Sequence, residues 1–248
     1  MVLSAVGLRR AVGTCGLVLP PLLLLGGWWL DVPVQDNLSS YVHTPMRDVL
    51  VGILAAIAAL LFCYHGKDQL ENWTANLGSL FAVGLAVCPI DAGSDPLAQR
   101  SLTGWLHTVS GGGFFLVLAV YSLWHFPSSP TRSAVPPPSG QQEESDVRNP
   151  KRLARTDDAL GGQRDFIYRA CGIVILLSML LMGTYLTVFP TRWVAFADRF
   201  HALFWLEWAA VWAFAAAWLT KGRSIVADLA VEWLAITQRR YFPTSSPK

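Results

Sequence analysis

The sequence predicts an all-α protein: a polytopic membrane bundle of six transmembrane helices with both termini in the cytoplasm, followed by an amphipathic C-terminal helix. Three observations support this prediction. Of the 248 residues, 53% are hydrophobic and only 15% are charged, whereas soluble domains carry about 25% charged residues. Six apolar runs approach the length that crosses a bilayer as a helix. Lysine and arginine are concentrated on one side of those runs.

Each predicted span is an apolar run bounded by polar residues. The runs cover residues 11–30, 49–64, 74–90, 106–126, 167–189 and 201–220. The first follows Arg9 and Arg10, as a secretory signal would, but no small-residue cleavage pattern follows it, so a retained helix is expected. The second and third runs are short for a span and would need part of their flanks.

The distribution of basic residues predicts the orientation. With the N-terminus in the cytoplasm, 15 of the 19 lysine and arginine residues fall on the cytoplasmic side. The outer loops then hold Arg47, Arg100, Arg192 and Arg199. This bias follows the positive-inside rule, and it places both termini in the cytoplasm. The net charge of +2 is too small to indicate a nucleic-acid partner.

A polar segment divides the chain into parts. Residues 127–165, which include "PSSPTRSAVPPPSGQQEESD", have too few apolar residues for a core and are expected to be a disordered linker. The linker separates helices one to four (1–126) from helices five and six (166–222). In the tail, 223–248, apolar residues recur on one helical face, which predicts an interfacial helix. A protein partner in the membrane could bind the linker or this tail.

The stretch "WLHTVSGGGFF" (105–115) opens the fourth run with unusual polarity. On a helix, His107, Ser110 and Gly111 share one face. Glycines allow a second helix to approach closely, and the third run has a matching ridge of small residues: Gly78, Ala82 and Ala86. We therefore expect the third and fourth helices to pack together here.

Polar residues near the outer helix ends form the predicted ligand-binding set. Its members are Arg47, Asp48, His107, Ser110, His201 and Glu207. Glu207 is the strongest candidate, because it lies six residues beyond His201, about 9 Å deeper at 1.5 Å per residue. A carboxylate at that depth is costly unless it is paired, hydrated or protonated. A ligand-binding role and a structural hydrogen bond between helices both remain open.

The same side of the membrane offers candidates for catalysis and for a metal. Glu207, His107 and His201 are the catalytic candidates. The metal candidates are His43, His107, His201, Asp91 and Asp198. Histidine and carboxylate ligands suit zinc, and a catalytic zinc would activate water. These histidines are scattered without metal-ligand spacing, so no cofactor is predicted, and zinc remains an alternative.

Several segments resemble a group of bacterial membrane proteins of unknown function. They are "YVHTPMRDVLVGILAAIAALLFCYHG", "LFAVGLAVCP", "WLHTVSGGGFF", "RDFIYRACG" and "FWLEWAAVWAFAAAWLTKG". The architecture also broadly resembles the six-helix DRAM/FRAG-type families, whose members are tied to lipid remodelling or membrane trafficking. The resemblance implies a six-helix fold in the bacterial cytoplasmic membrane and gives no assigned reaction, so whether the protein is an enzyme stays open.

The leading functional hypothesis is a polar pocket that faces outward and binds a lipid headgroup or small amphiphile, with Arg47 meeting an anionic group. One alternative is a metal-dependent membrane hydrolase, with Glu207 or an aspartate as the base. A second is a proton-coupled transporter with Glu207 as the proton carrier. A third is a scaffold subunit of a membrane complex.

Overall fold

The computed structural model of the protein describes residues 5–93, 96–127 and 150–223. All regular structure in these ranges is helical, which confirms the predicted all-α class. The α-helices are α1 (Ala5–Trp29), α2 (Arg47–Phe62), α3 (Gln69–Val87), α4 (Leu102–Val120), α5 (Pro150–Thr187), α6 (Thr191–Asp198) and α7 (Ala202–Lys221). A 3₁₀ helix (Ser39–His43) precedes α2, and a π-helical turn (Tyr121–His125) extends α4.

Four of these helices are long and apolar enough to cross a membrane. They are α1, α4 with its π-helical turn, the part of α5 from Gly162 to Thr187, and α7. Helices α2 and α3 lie at the second and third predicted runs. However, α2 has only 16 residues, or about 24 Å at 1.5 Å per residue, against a hydrocarbon core about 30 Å thick. Six spans and their orientation therefore stay predictions.

The surface of the long helices is apolar. Leu25, Leu116, Leu180 and Trp212 are all exposed on them. Many large apolar side chains exposed on long helices indicate a surface that contacts membrane or another protein. It is consistent with an integral membrane protein.

The six long helices form a closed ring. Helix α1 packs against α2 and α7, α2 against α3, α3 against α4, α4 against α5, and α5 against α7. The short α6 connects α5 to α7. The ring brings the N-terminal ends of α4 and α7 to the same end as the 3₁₀ helix, so polar side chains from distant parts of the chain can meet there.

The expected packing of α3 on α4 is confirmed. A Cβ at Gly113 would overlap the ring of Phe81, so glycine lets this ring of α3 pack directly on α4. Gly78 faces Val117 from α3, and a Cβ there would lie 3.0 Å from the valine Cγ1. Gly112, in contrast, has open space around it: a Cβ there would have no neighbour within 4 Å. The glycine triplet therefore serves both the helix contact and a cavity.

Helix α5 begins within the predicted linker. Residues 150–165 are helical, although the composition predicts disorder for them. The segment is rich in Lys, Arg, Leu and Ala, which favour helix; a lack of apolar residues argues against a buried core and not against a helix. Linker residues 128–149 and the predicted amphipathic tail, 224–248, lie outside the described residues, so these assignments and the domain division stay predictions.

Candidate ligand-binding cavity

A cavity of about 220 Å³ lies inside the ring, between α1, α2, α4, α5 and α7. Its wall is mostly apolar and includes residues from all five helices, among them Leu19, Leu54, Phe115, Met179 and Val211. Four polar residues also line it, namely Ser39, His107, Thr108 and Glu207. We call this space the Glu207 cavity. A largely apolar cavity with a few polar groups is the usual form of a small-molecule site.

Glu207 is held by the loop that joins α1 to α2. Its Oε2 accepts a hydrogen bond from the backbone N–H of Leu38 at 2.6 Å. The backbone N–H of Ser39 also faces this carboxylate. These amides begin the 3₁₀ helix, where N–H groups lack partners within the helix and favour a negative charge. Glu207 therefore does accept a structural hydrogen bond, and its donor is a backbone amide at the start of the 3₁₀ helix between α1 and α2, not a side chain of another long helix.

His107 is 6% exposed and is fixed by a backbone carbonyl. Its Nδ1 lies 2.7 Å from the carbonyl oxygen of Cys88 at the end of α3. Because a carbonyl oxygen only accepts, Nδ1 must carry the hydrogen, and the Nε2 of a neutral ring is then an acceptor. The next residue, Thr108, donates its hydroxyl hydrogen to the carbonyl oxygen of Pro96 at 2.6 Å.

The structure therefore brings two of the six predicted ligand-binding residues, His107 and Glu207, to one cavity. The other four are not among its lining residues in the described part of the chain. Arg47 and Asp48 are exposed in the first turn of α2, and Ser110 is buried against α3. His201 lies just before α7 with a left-handed φ of 51°.

The predicted metal candidates are held apart. Within the described residues, no three His, Cys, Asp or Glu side chains come together as a possible metal site. The Nε2 of His43 lies 2.8 Å from the carbonyl oxygen of Ile90. The Nδ1 of His201 lies 3.4 Å from an Asp36 carboxylate oxygen, and Asp198 accepts from the Tyr185 hydroxyl. The hydrolase alternative gains no support from these positions.

Asp91, the remaining metal candidate, holds the loop between α3 and α4. Its carboxylate accepts from the backbone N–H groups of Arg100 and Ser101, at 2.6 and 2.8 Å, and from the Ser101 hydroxyl. These bonds, the Ser101 hydroxyl first, lower the pKa of Asp91 below its ordinary value. The same loop carries Pro96 and Leu97 to the cavity wall.

A second polar group lies at the opposite end of the bundle, and the sequence analysis did not single it out. Glu71 is 1% exposed. Its Oε1 accepts from the Tyr64 hydroxyl at 2.7 Å, and its Oε2 accepts from the backbone N–H of Lys67 at 2.9 Å. Arg9 donates to the Tyr64 oxygen through Nε and Nη2, at 3.0 and 2.7 Å. We call Arg9, Tyr64, Lys67 and Glu71 the Glu71 cluster.

The Glu71 cluster connects four elements of the fold. Arg9 comes from α1, Tyr64 follows α2, and Glu71 lies in the first turn of α3. The backbone carbonyl of Glu71 also accepts from the Tyr121 hydroxyl, at 2.8 Å, after α4. One sequence signal for it exists: the pattern Asp68-x-x-Glu71 is a capping-box spacing, and Asp68 accepts from the Glu71 N–H at 2.8 Å.

Comparisons with known proteins give no relative from which a function could be transferred. Nothing matches the chain among protein-family models, curated proteins or solved structures. The resemblance noted from the sequence segments, and the bacterial cytoplasmic location that it implies, therefore stay expectations. Function has to be inferred from the geometry of the cavity.

Proposed function

We propose that this protein is a six-span protein of the bacterial cytoplasmic membrane, with both termini in the cytoplasm, that binds a small amphiphile in the Glu207 cavity. The observation that carries the proposal is that His107 and Glu207 line one otherwise apolar cavity. The four apolar helices and the bias of basic residues support the membrane setting.

The four polar lining residues all lie toward one end of the ring, and the wall beyond them along the helix axes is apolar. Glu207 and His107 lie near the N-terminal ends of α7 and α4, which share one end of the ring. Phe214 and Phe114 also line the cavity, each seven residues further along its helix, or about 10 Å at 1.5 Å per residue. The cavity therefore fits a molecule with one polar end and an apolar body about 10 Å long.

Such a ligand would also stabilise the bundle. Apolar side chains that face a void lose dispersion contacts on that side, and an apolar body in the cavity restores them. Burial of its carbons contributes about 0.8 kcal/mol per CH₂ group. Polar groups at one end fix the orientation, since a buried acceptor without a donor is costly.

Glycine-to-leucine variants test the proposal. Gly112 lines the cavity, and a Cβ there would meet no neighbour within 4 Å, so Gly112→Leu adds an apolar side chain at the cavity wall. Gly52, on α2, is exposed and also has no neighbour within 4 Å of a Cβ, so Gly52→Leu is a matched control. Each full-length protein is extracted with its native lipids, and retained amphiphiles are quantified by mass spectrometry.

We expect one amphiphile to be enriched over bulk lipid in the wild type and in Gly52→Leu, and to be lost in Gly112→Leu. Equal retention by all three proteins would contradict binding in the cavity. Arg47 has no role in this proposal, because it is exposed at the start of α2 and does not line the cavity. The transporter and scaffold alternatives stay predictions from the sequence.

A further inference from the structure

We infer that the ligand of the Glu207 cavity is an amphiphile whose polar end donates hydrogen bonds, a hydroxyl or an amine, and is not an anionic headgroup. This inference rests on the proposed function and adds the chemical class of the ligand. It follows from counting which donors and acceptors of the wall are already used inside the protein.

In its ionised form, Glu207 offers acceptors only. An ionised carboxylate has about four lone-pair sites and no hydrogen to donate. The backbone N–H groups of Leu38 and Ser39 occupy part of that capacity. The remaining lone pairs belong to a side chain that lines the cavity, so a ligand group that meets them must bring a hydrogen.

His107 is an acceptor because its one hydrogen is committed. The Cys88 carbonyl fixes the hydrogen on Nδ1, so Nε2 of the neutral ring presents a lone pair. His107 is one of the lining residues, so a second side chain of the cavity wall carries an acceptor. The imidazole ring of His107 is held by the Cys88 carbonyl, so a flip that swaps the positions of its two nitrogens would break that hydrogen bond.

Thr108 adds a third acceptor. Its hydroxyl hydrogen is donated to the Pro96 carbonyl, so only the oxygen lone pairs remain for a ligand. Ser39 favours neither a donor nor an acceptor on the ligand, because its hydroxyl can donate or accept. The polar part of the wall is therefore dominated by acceptors from three different side chains.

The charged residues of the wall also disfavour an anionic ligand. Among the described lining residues there is no lysine or arginine. An anionic headgroup would meet the Glu207 carboxylate in a low-dielectric site with no cation to offset the repulsion. A hydroxyl or amine instead supplies the missing hydrogens, and a protonated amine also balances the carboxylate charge.

Short amphiphiles with one chain length and different polar ends test this inference. The full-length protein is placed in lipid nanodiscs, and tritiated octylamine and tritiated octanoate are bound separately in a scintillation proximity assay. Specific binding is the signal of the wild type above that of Gly112→Leu, with Gly52→Leu as the matched control. Unlabelled 1-octanol and methyl heptyl ether then compete for the site; the ether has a similar length but no hydrogen to donate.

We expect specific binding of octylamine and competition by 1-octanol, with octanoate and the ether at least about tenfold weaker, because sites built to hydrogen-bond a donor reject analogues that lack it. Two variants preserve the internal hydrogen bonds while changing what the ligand meets. Glu207→Gln still accepts from Leu38 but adds an amide donor. His107→Asn can still donate to the Cys88 carbonyl but lacks Nε2. Each should weaken octylamine about tenfold.

The outcomes separate the two proposals. Specific binding of octanoate equal to or above that of octylamine would overturn the ligand class and leave the proposed function standing. If neither tracer binds the wild type above Gly112→Leu, both the ligand class and the proposed function are overturned. Unchanged octylamine binding in both Glu207→Gln and His107→Asn would also overturn the class, since neither acceptor would then contact the ligand.

Discussion

The Glu71 cluster and the Glu207 cavity both place a glutamate near the N-terminal end of a helix, at opposite ends of the bundle. At Glu71, both carboxylate oxygens accept from groups of the protein, and Arg9 lies beyond the bridging tyrosine. At Glu207, the described contacts come from two backbone amides, and the side chain lines a cavity. The first glutamate is enclosed by protein partners, whereas the second has acceptor capacity left over.

Burial alone therefore does not identify a functional carboxylate. Glu71 is the more deeply buried of the two, yet its partners make it a connector between helices. Glu207 has fewer partners and adjoins unfilled space. The number of lone pairs that remain, together with the neighbouring charges, distinguishes a structural carboxylate from a candidate ligand-binding one.

The largest predicted difference is in stability. We expect Glu71→Ala to lower the free energy of unfolding by about 3 kcal/mol or more, because it leaves buried donors and Arg9 without their carboxylate. Glu207→Ala should cost on the order of 1 kcal/mol, since it removes only bonds to backbone amides. Denaturant unfolding in mild detergent measures both. Equal losses would remove the distinction between the two sites.

Alanine variants at two neighbouring glycines of α4, Gly112 and Gly113, are expected to differ in stability. Gly113→Ala should cost about 1–3 kcal/mol, because its Cβ would overlap the Phe81 ring, which packs against the core and would have to move. Gly112→Ala should be neutral or should stabilise the fold by up to about 1 kcal/mol, since its Cβ enters open space and alanine is the better helix former. Thermal unfolding of the two variants side by side is the measurement, and the reverse order would place the cavity elsewhere on α4.

Removal of one hydroxyl tests how the Glu71 cluster is connected. Tyr64→Phe loses the oxygen that joins Arg9 to Glu71, while the ring keeps its edge contact with Trp218 at 5.4 Å between centroids. We expect a loss of about 1–2 kcal/mol, intermediate between no effect and that of Glu71→Ala. Unfolding measured with the double variant Tyr64→Phe/Glu71→Ala should show that the two effects do not add. Simple addition would mean that the two side chains act independently.

The smallest predicted effect concerns pH and the loop at the cavity. Because the folded-state pKa of Asp91 is lowered, its contribution to stability is complete above its ordinary pKa, and it is lost as pH falls through the lower folded-state value. Asp91→Asn removes this contribution, so the difference in melting temperature between wild type and variant should shrink with acidification below about pH 4. A difference that is constant with pH would contradict the assignment.

Much of the fold follows from the sequence, and the reasons for the failures are local. Apolar runs placed all six long helices, and the small residues of α3 and α4 correctly predicted their contact. The position of a carboxylate well inside an apolar run singled out Glu207. The sequence could not identify its partner, because Leu38 contributes only a backbone amide. Glu71 was missed because a polar first turn is usual for an exposed helix start, and here other helices cover it.

The predicted site residues fall into two groups, those inside regular helices and those beside loops. His107 and Glu207 are placed by regular helices, so their depth and face could be predicted. Arg47 and His201 adjoin loops, and sequence does not fix the direction of a side chain at a helix end. The helical start of α5 at Pro150 shows a further limit, since composition predicts whether a segment can form a core more reliably than whether it can be helical.

We propose above that an amphiphile binds in the Glu207 cavity with its polar end toward Glu207 and His107. The most direct measurement is an electron cryomicroscopy map of the full-length protein in lipid nanodiscs, with a bound antibody fragment to provide size. We expect elongated density about 10 Å long that begins within hydrogen-bonding distance of these two side chains and extends toward Phe114 and Phe214. A cavity closed by rearranged side chains, or one that contains only isolated water-sized density, would contradict it.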